Sequence, residues 1–358
     1  MPFERGTFPL TMFKLSGDLP ENAVELFNKN SGGRLEDVKD EMHIGWTGHN
    51  HLLETNMTEE NITLGGFIFA NMRNAKKKIP SSQLKAALKI EEMAYIRAIG
   101  NADISRKKKK EIKEQVTESL MTEAATHFNG VQFVIDQNDN TVYFGGSSVA
   151  ASDTFTALFN DTFKIAPIQI YSEELMAEEN LVPSSYKGIK LPGCDEDDFT
   201  PGRDFLTWLW FYSEESSGEI EVDTYGTFAV MPEGPLTFAS EGKGAFESVV
   251  RKGNPLNSAE AKTALSIGKK LKKANIVMSR ADETWNCTFD ADNFIFTGVK
   301  LPEGEEMDHV SRFAERMNNL HIFKEAFKAY FRKFLSDVAD ENSINERIGK
   351  WIENRNSF

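Results

Sequence analysis

SRKKKKEIKEQVTESLMTEAATHF, residues 105–128, places apolar side chains at Ile112, Val116, Leu120, Ala124 and Phe128. Recurrence every four residues gives a helix one buried stripe, and Ser105 is a good N-cap for it. Upstream, Pro80-Ser81-Ser82 starts an earlier helix that Gly100-Asn101 stops near Ile99. Two consecutive helices with so short a break form an α-hairpin. Strand-like runs flank the pair. Ile62–Arg73, rich in Ile, Phe and Leu, precedes it, and Val131–Asp136, alternating Val, Phe and Ile, follows it. Asp139-Asn140 then turns the chain into a partner strand from Thr141 to Gly145. Strands and helices do not alternate strictly, so the expected class is α+β: mixed antiparallel sheets, a helical hairpin arm and a C-terminal helical segment.

The same reading extends outward. Thr7–Leu15 reads as a first strand, Pro20–Asn28 as a short helix and Glu41–Thr47 as a strand. Ser147 or Ser148 caps a helix carrying Phe155, Leu158, Phe159 and Phe163, with a strand over Ile165–Tyr171 after it. Pro183–Gly202 is the linker or long-loop candidate. Leu206–Tyr212 reads as a buried strand, further strands surround Phe228 and Val249, and a helix runs from Ser258 to Lys272. Strands at Ile276 and over Phe294–Val299 lead to helices from about Asp308 to Val338. The expected organisation is a central α+β domain (1–75 with 131–182), the basic hairpin 76–130 inserted in it, and a C-terminal α+β domain (183–358) ending in helices.

At 358 residues the chain can bury a large core. It holds no apolar run near the roughly 20 residues that span a bilayer, so no membrane partner is expected. The N-terminal MPFERGTFPL lacks the basic and apolar regions of a signal peptide. Cys194 and Cys287 are too few for a disulfide framework, and a reducing cytoplasm fits them. The net charge of −14 is unevenly spread. Between Lys76 and Lys113 stand twelve Lys or Arg against four acids, a net of +8 inside an acidic chain. A second stretch, Lys262–Arg280, has six basic residues and no acid, whereas Glu173–Glu233 carries a net of −12.

Within the first stretch, Arg106, Lys107, Lys108, Lys109 and Lys110 occupy the first turn of their helix. The macrodipole is positive there and favours acids, so each lysine stands against the field by about 0.3–1 kcal/mol. Lysines three and four apart also repel one another. A local rule broken this often points to a ligand that relieves it, and phosphates suit lysines by releasing counterions. The plain alternative is a solvated helix end. The candidate DNA-binding residues are Lys76, Lys77, Lys78, Lys85, Arg106, Lys107, Lys108, Lys109, Lys110 and Lys113, together with Lys269, Lys270, Lys272 and Lys273 from the second stretch. Zinc-finger spacing, an RRM aromatic signature and a clear helix-turn-helix are all missing from the sequence, so binding without sequence preference is expected.

Other constellations are weaker. His43, His49 and His51, with Glu54 nearby, have a spacing that could hold a metal, although histidines in a turn-rich stretch are usually polar loop. Asp290 and Asp292, with Asp136, could serve magnesium-dependent nuclease chemistry, but D-A-D-N between two strands is more often a hairpin turn. Trp208, Trp210, Phe211 and Tyr212 could stack on bases, yet Leu206 and Leu209 among them favour burial. No cofactor motif and no nucleophile–base arrangement can be argued from spacing.

Several segments, taken in order, resemble the RdgC family of bacterial recombination-associated DNA-binding proteins. Met42–Trp46 (MHIGW) resembles that family's early M-G-W, and Lys78-Ile79-Pro80-Ser81 with Leu84-Lys85-Ala86-Ala87-Leu88 resembles its K-I-L-P-S…I-K-Q-A-L. The lysine run leading to Glu111, Val116 and Leu120 is similar to its basic second helix, and Val134-Ile135-Asp136 to its W-I-D strand. Ser147–Pro167, Leu206–Trp210 and Arg251–Met278 resemble later family blocks. The resemblance implies a ring-shaped homodimer passing duplex DNA through a positively charged hole, without marked sequence preference and without enzymatic activity. It also implies restraint of recombinase (RecA) filament function, a nucleoid-associated place in the cytoplasm, and Lys76–Lys78 with Lys107–Lys110 as ring lining. This chain is longer than the family pattern, and Pro183–Gly202 and Gly218–Gly242 match it poorly. A metal-dependent nuclease and a protein-interaction scaffold using the acidic middle region remain as alternatives.

Overall fold

The strand that opens the chain, β1 (Phe8–Leu15), lies near the middle of the sheet. The computed structural model describes residues 3–39, 41–100, 103–192, 199–240, 246–252, 256, 258–304 and 308–353. After β1 come α1 (Ala23–Lys29), β2 (His43–Gly48), α2 (Glu59–Ile62), β3 (Thr63–Leu64) and β4 (Phe67–Lys77). The arm follows as α3 (Ser81–Ile99) and α4 (Arg106–Glu123). Then come β5 (Thr126–Asp136), β6 (Thr141–Phe144), α5 (Val149–Phe163), β7 (Pro167–Gln169) and α6 (Ser172–Glu178). The second half holds α7 (Pro201–Glu215), β8 (Glu219–Val222), β9 (Gly226–Ala239), β10 (Glu247–Val250) and α8 (Ala259–Ser266). It ends with β11 (Lys270–Arg280), β12 (Glu283–Asp290), β13 (Ile295–Lys300), α9 (His309–Val338) and α10 (Glu341–Glu353).

Among the described residues the strands form one sheet in the order β10-β9-β11-β12-β13-β1-β6-β5-β4-β2, with β3 also paired to β4, β7 to β1 and β8 to β9. Every paired strand is antiparallel. The α+β class and the C-terminal helical segment are as expected. Successive residues of a strand face opposite sides, and β5 shows the result. Phe133 and Ile135 enter a core with Phe27, Trp46, Phe155 and Phe159 under α1 and α5. Val134 enters a larger core on the other face, where α7, α9 and α10 pack.

Gly45 explains one small residue of the MHIGW run. A Cβ there would lie 2.5 Å from the Ser31 carbonyl oxygen, where Ser31 bridges Trp46. The Trp46 ring is wholly buried, and its Nε1 donates to Thr162 Oγ1 at 2.8 Å. Gly45→Ala must push that backbone aside, so we expect a loss of about 1–3 kcal/mol by urea unfolding. Wild-type stability in that variant would contradict the close approach.

Three expectations are corrected. Leu206–Tyr212 is helical within α7, not a strand, and every residue from Pro201 to Tyr212 is buried. A continuous apolar run carries no period that separates a buried helix from a buried strand. Here the helix stacks Trp208 on Tyr212, four residues on, with ring centroids 4.6 Å apart. The second arm helix ends at Glu123 rather than Phe128, because Thr126–Phe128 join the ladder to Lys77–Ala75. Phe128 is exposed on that strand, and only Ile112 and Val116 of the expected stripe are buried in the helix. The helix expected over Ser258–Lys272 ends at Ser266, Gly268 takes φ +84°, and β11 starts at Lys270. Cys194 and the rest of 193–198 in the Pro183–Gly202 loop candidate lie outside the described residues, and Cys287 is buried.

Candidate nucleic-acid interface

β4 and β5 pair from Ile68↔Ile135 to Lys77↔Thr126, and the whole arm is inserted at the Lys77–Thr126 end of this ladder. Lys78 N–H continues the pairing with a bond to the Ala125 carbonyl. Gly100 closes α3 in the left-handed conformation at φ +65°. Ser105 caps α4 by accepting from the Lys108 amide at 3.3 Å. Lys77 is partly spent on the same architecture. Its ammonium reaches the Met121 and Thr122 carbonyls at 3.5 and 3.4 Å, satisfying the C-terminal end of α4.

Ile112 and Val116 turn α4 toward α3, and the two helices enclose a groove of about 380 Å³ lined in part by Ala87, Ile90 and Leu120. Lys108 lies on this inner side, over the Tyr95 ring at 5.3 Å and paired with Glu111 at 3.0 Å. With 3.6 residues per turn, Arg106, Lys110 and Lys113 fall within about 60° of one another on the outer side. Arg106, Lys107, Lys109, Lys110 and Lys113 are all exposed. Lys110 meets Glu114 at 3.7 Å with both side chains solvated, a pair worth little. Arg106, Lys107, Lys109 and Lys113 form no ion pair among the described residues. Lys76, Lys78 and Lys85 are also exposed. Sequence spacing adds Lys89, one turn beyond Lys85 on α3 and exposed like it. His127, which no sequence motif marks, is exposed opposite Lys76 in the β4–β5 ladder. Beside the base of the arm lies a groove of about 750 Å³ whose lining includes the acids Glu36, Asp37, Glu41 and Glu118.

The four lysines of the second stretch differ in kind. Lys269 and Lys270 are buried, at 7% and 5% exposure. Lys269 donates to Ser248 Oγ at 2.6 Å, and Lys270 meets Asp204 at 2.6 Å and Thr200 Oγ1 at 3.0 Å. Burial pushes the Asp204 carboxyl up, and the Lys270 ammonium opposes that. Lys272 bonds Glu247 at 2.5 Å, which holds its ammonium above the usual lysine range, and Lys273 meets Asp290 at 3.0 Å. Five strand steps separate β11 from β5, roughly 24 Å at ordinary strand spacing. The structure does not bring the two basic stretches together.

The carboxylates weighed for nuclease chemistry are likewise engaged. Asp290 Oδ1 accepts from the Asp292 and Asn293 amides in the β12–β13 turn. Asp292 takes Arg203 Nε at 2.5 Å and Arg203 Nη2 at 2.8 Å. His49 is buried and stacked on Phe69, its imidazole lowered by burial, while His43 and His51 are exposed. Among the described residues, the donor atoms that converge as a metal would require are those of Asp136, Asp139 and His321. Trp208, Trp210 and Phe211 are core side chains, closed off from bases. No described helix is long and apolar enough to cross a membrane.

Residues 10–181 match the family model described as "RdgC: Putative exonuclease, RdgC". The matched span runs from within β1 through α6, and holds the whole arm and both strands that carry it. No curated protein matches the chain.

Proposed function

The chain belongs to the RdgC family, which implies a recombination-associated DNA-binding role, and from that premise we propose that it grips duplex DNA through the α3–α4 arm without reading its sequence. The reading extends to a ring-shaped homodimer around the duplex that restrains RecA-type recombinase filaments, in the nucleoid of the cytoplasm and without catalysis of its own. One observation carries the arm assignment. Arg106, Lys107, Lys109, Lys110 and Lys113 of α4 face solvent, and all of these but Lys110 have no ion pair among the described residues, whereas all four lysines of the second stretch have polar partners. Unpaired lysines can exchange counterions for phosphates, while a neutralised pair must first be broken. The proposal therefore rests on Lys76, Lys78, Lys85 and the Arg106–Lys113 group. Dimerisation finds support in Ile90, Met93 and Ile99, large apolar residues left exposed on α3.

Titration of the protein onto unrelated duplexes, over a range of salt and with or without magnesium, tests the reading. Binding indifferent to sequence, steeply weakened by salt and leaving DNA intact is expected. The word exonuclease in the family description favours a second reading, in which magnesium-dependent cutting would be seen. The engagement of Asp290 and Asp292 by cations and amides speaks against those two residues as its centre. Absence of binding would leave the acidic scaffold.

A further inference from the structure

We propose that Asp136, Asp139 and His321 bind one divalent ion of the Zn²⁺ or Mn²⁺ class, fastening α9 to the β5–β6 turn. One ligand atom from each of the three lies within 4.8 Å of the others. His321 Nδ1 stands 3.7 Å from Asp139 Oδ2, too far for a hydrogen bond and close enough for two ligands of one ion. An imidazole with two carboxylates suits zinc or manganese better than magnesium, which prefers oxygen and keeps its water.

Two orphaned atoms point to a ligand in this place. Tyr143 is wholly buried, and among the described residues its hydroxyl has no hydrogen-bond partner. Thr141 pairs with Asp136 and Tyr143 with Val134, so Tyr143 shares a sheet face with Asp136. The carboxylates whose charge reaches the hydroxyl are Asp139, Asp136 and Glu325. His321 Nδ1 is a second buried polar atom without a hydrogen bond among the described residues. A bound ion would take up His321 Nδ1, and a water held on that ion would give the Tyr143 hydroxyl an acceptor or donor.

Lys324 shares the cluster and sets the competition. Its ammonium bonds Asp139 Oδ2 and Thr141 Oγ1, and it also lies 3.3 Å from Glu325 Oε1. Asp139 can thus exchange the ammonium for an ion while Lys324 keeps Glu325. The site joins a turn inside the family-matched span to a helix beyond it. The ion would tie the arm-bearing β5 to the C-terminal half.

Isothermal titration of the untagged, metal-stripped full chain with Zn²⁺, Mn²⁺ and Mg²⁺ tests this. One Zn²⁺ or Mn²⁺ should bind per chain, with Mg²⁺ far weaker. His321→Ala should weaken binding at least about tenfold, and His321→Asp, which restores a ligand, should recover part of it. Lys324→Met, lacking the competing ammonium, should bind more tightly. His43→Ala and His51→Ala should change nothing. Binding unaltered in His321→Ala, lost in the His43 or His51 variants, or absent from the wild-type chain would overturn the site. Partial exposure of His321 makes its variants mild, and circular dichroism melting confirms that they fold.

Discussion

Replacing Lys107, Lys109, Lys110 and Lys113 together by alanine should lower duplex affinity about 100-fold or more near 0.1 M salt. It should also flatten the logarithmic salt dependence by about 3 to 4, since each lost phosphate contact removes about 0.9. Fluorescence anisotropy of a labelled duplex at several salt concentrations reads both numbers. The accompanying change in stability carries an unusual sign. Those lysines oppose the α4 dipole and repel one another, so alanine leaves the helix as stable as before or firmer by a few tenths of a kcal/mol. A loss of affinity caused by unfolding would come with a lower melting temperature. An unchanged salt slope in a well-folded variant would remove DNA contact from the arm.

Lys270→Met gives the opposite pattern. Lys270 is 5% exposed, and its ammonium meets Asp204, whose carboxylate is wholly buried. Methionine keeps most of the volume but leaves that carboxylate, among the described residues, with the Tyr186 hydroxyl and the Ile189 amide. Removing one partner of a buried pair costs about 3–5 kcal/mol, readable by urea unfolding, and the folded fraction should bind DNA with wild-type affinity. Together the two substitutions separate a lysine that holds the fold from lysines that meet a ligand. Intact stability in Lys270→Met with weakened DNA binding would reverse the assignment of the two basic stretches.

That separation was not legible in the chain. Lys269, Lys270, Lys272 and Lys273 read as a basic cluster because their neighbours in sequence include no acid. Their partners Ser248, Asp204, Glu247 and Asp290 come from elsewhere, brought in by sheet pairing and by α7. The arm was legible because its signals are local: a serine cap, an apolar stripe at helical spacing and a lysine run on one turn. Its end was not, since the β4–β5 ladder claimed Thr126–Phe128 against a pattern that continued the helix. The strand read at Leu206–Tyr212 failed for a related reason. A segment buried on all sides loses the polar face that would reveal its period. The Asp136–Asp139–His321 cluster joins residues 185 positions apart, and of the three the sequence marks only Asp136 as a candidate metal ligand.

The place where duplex DNA touches the molecule separates the arm from β11 most directly. A photo-crosslinking amino acid placed singly at position 109 on α4 or at position 272 on β11, irradiated with labelled duplex, locates that contact directly. Strong crosslinks from position 109 that fade with added salt, and background levels from position 272, are predicted. Crosslinks from position 272 with none from position 109 would contradict the account.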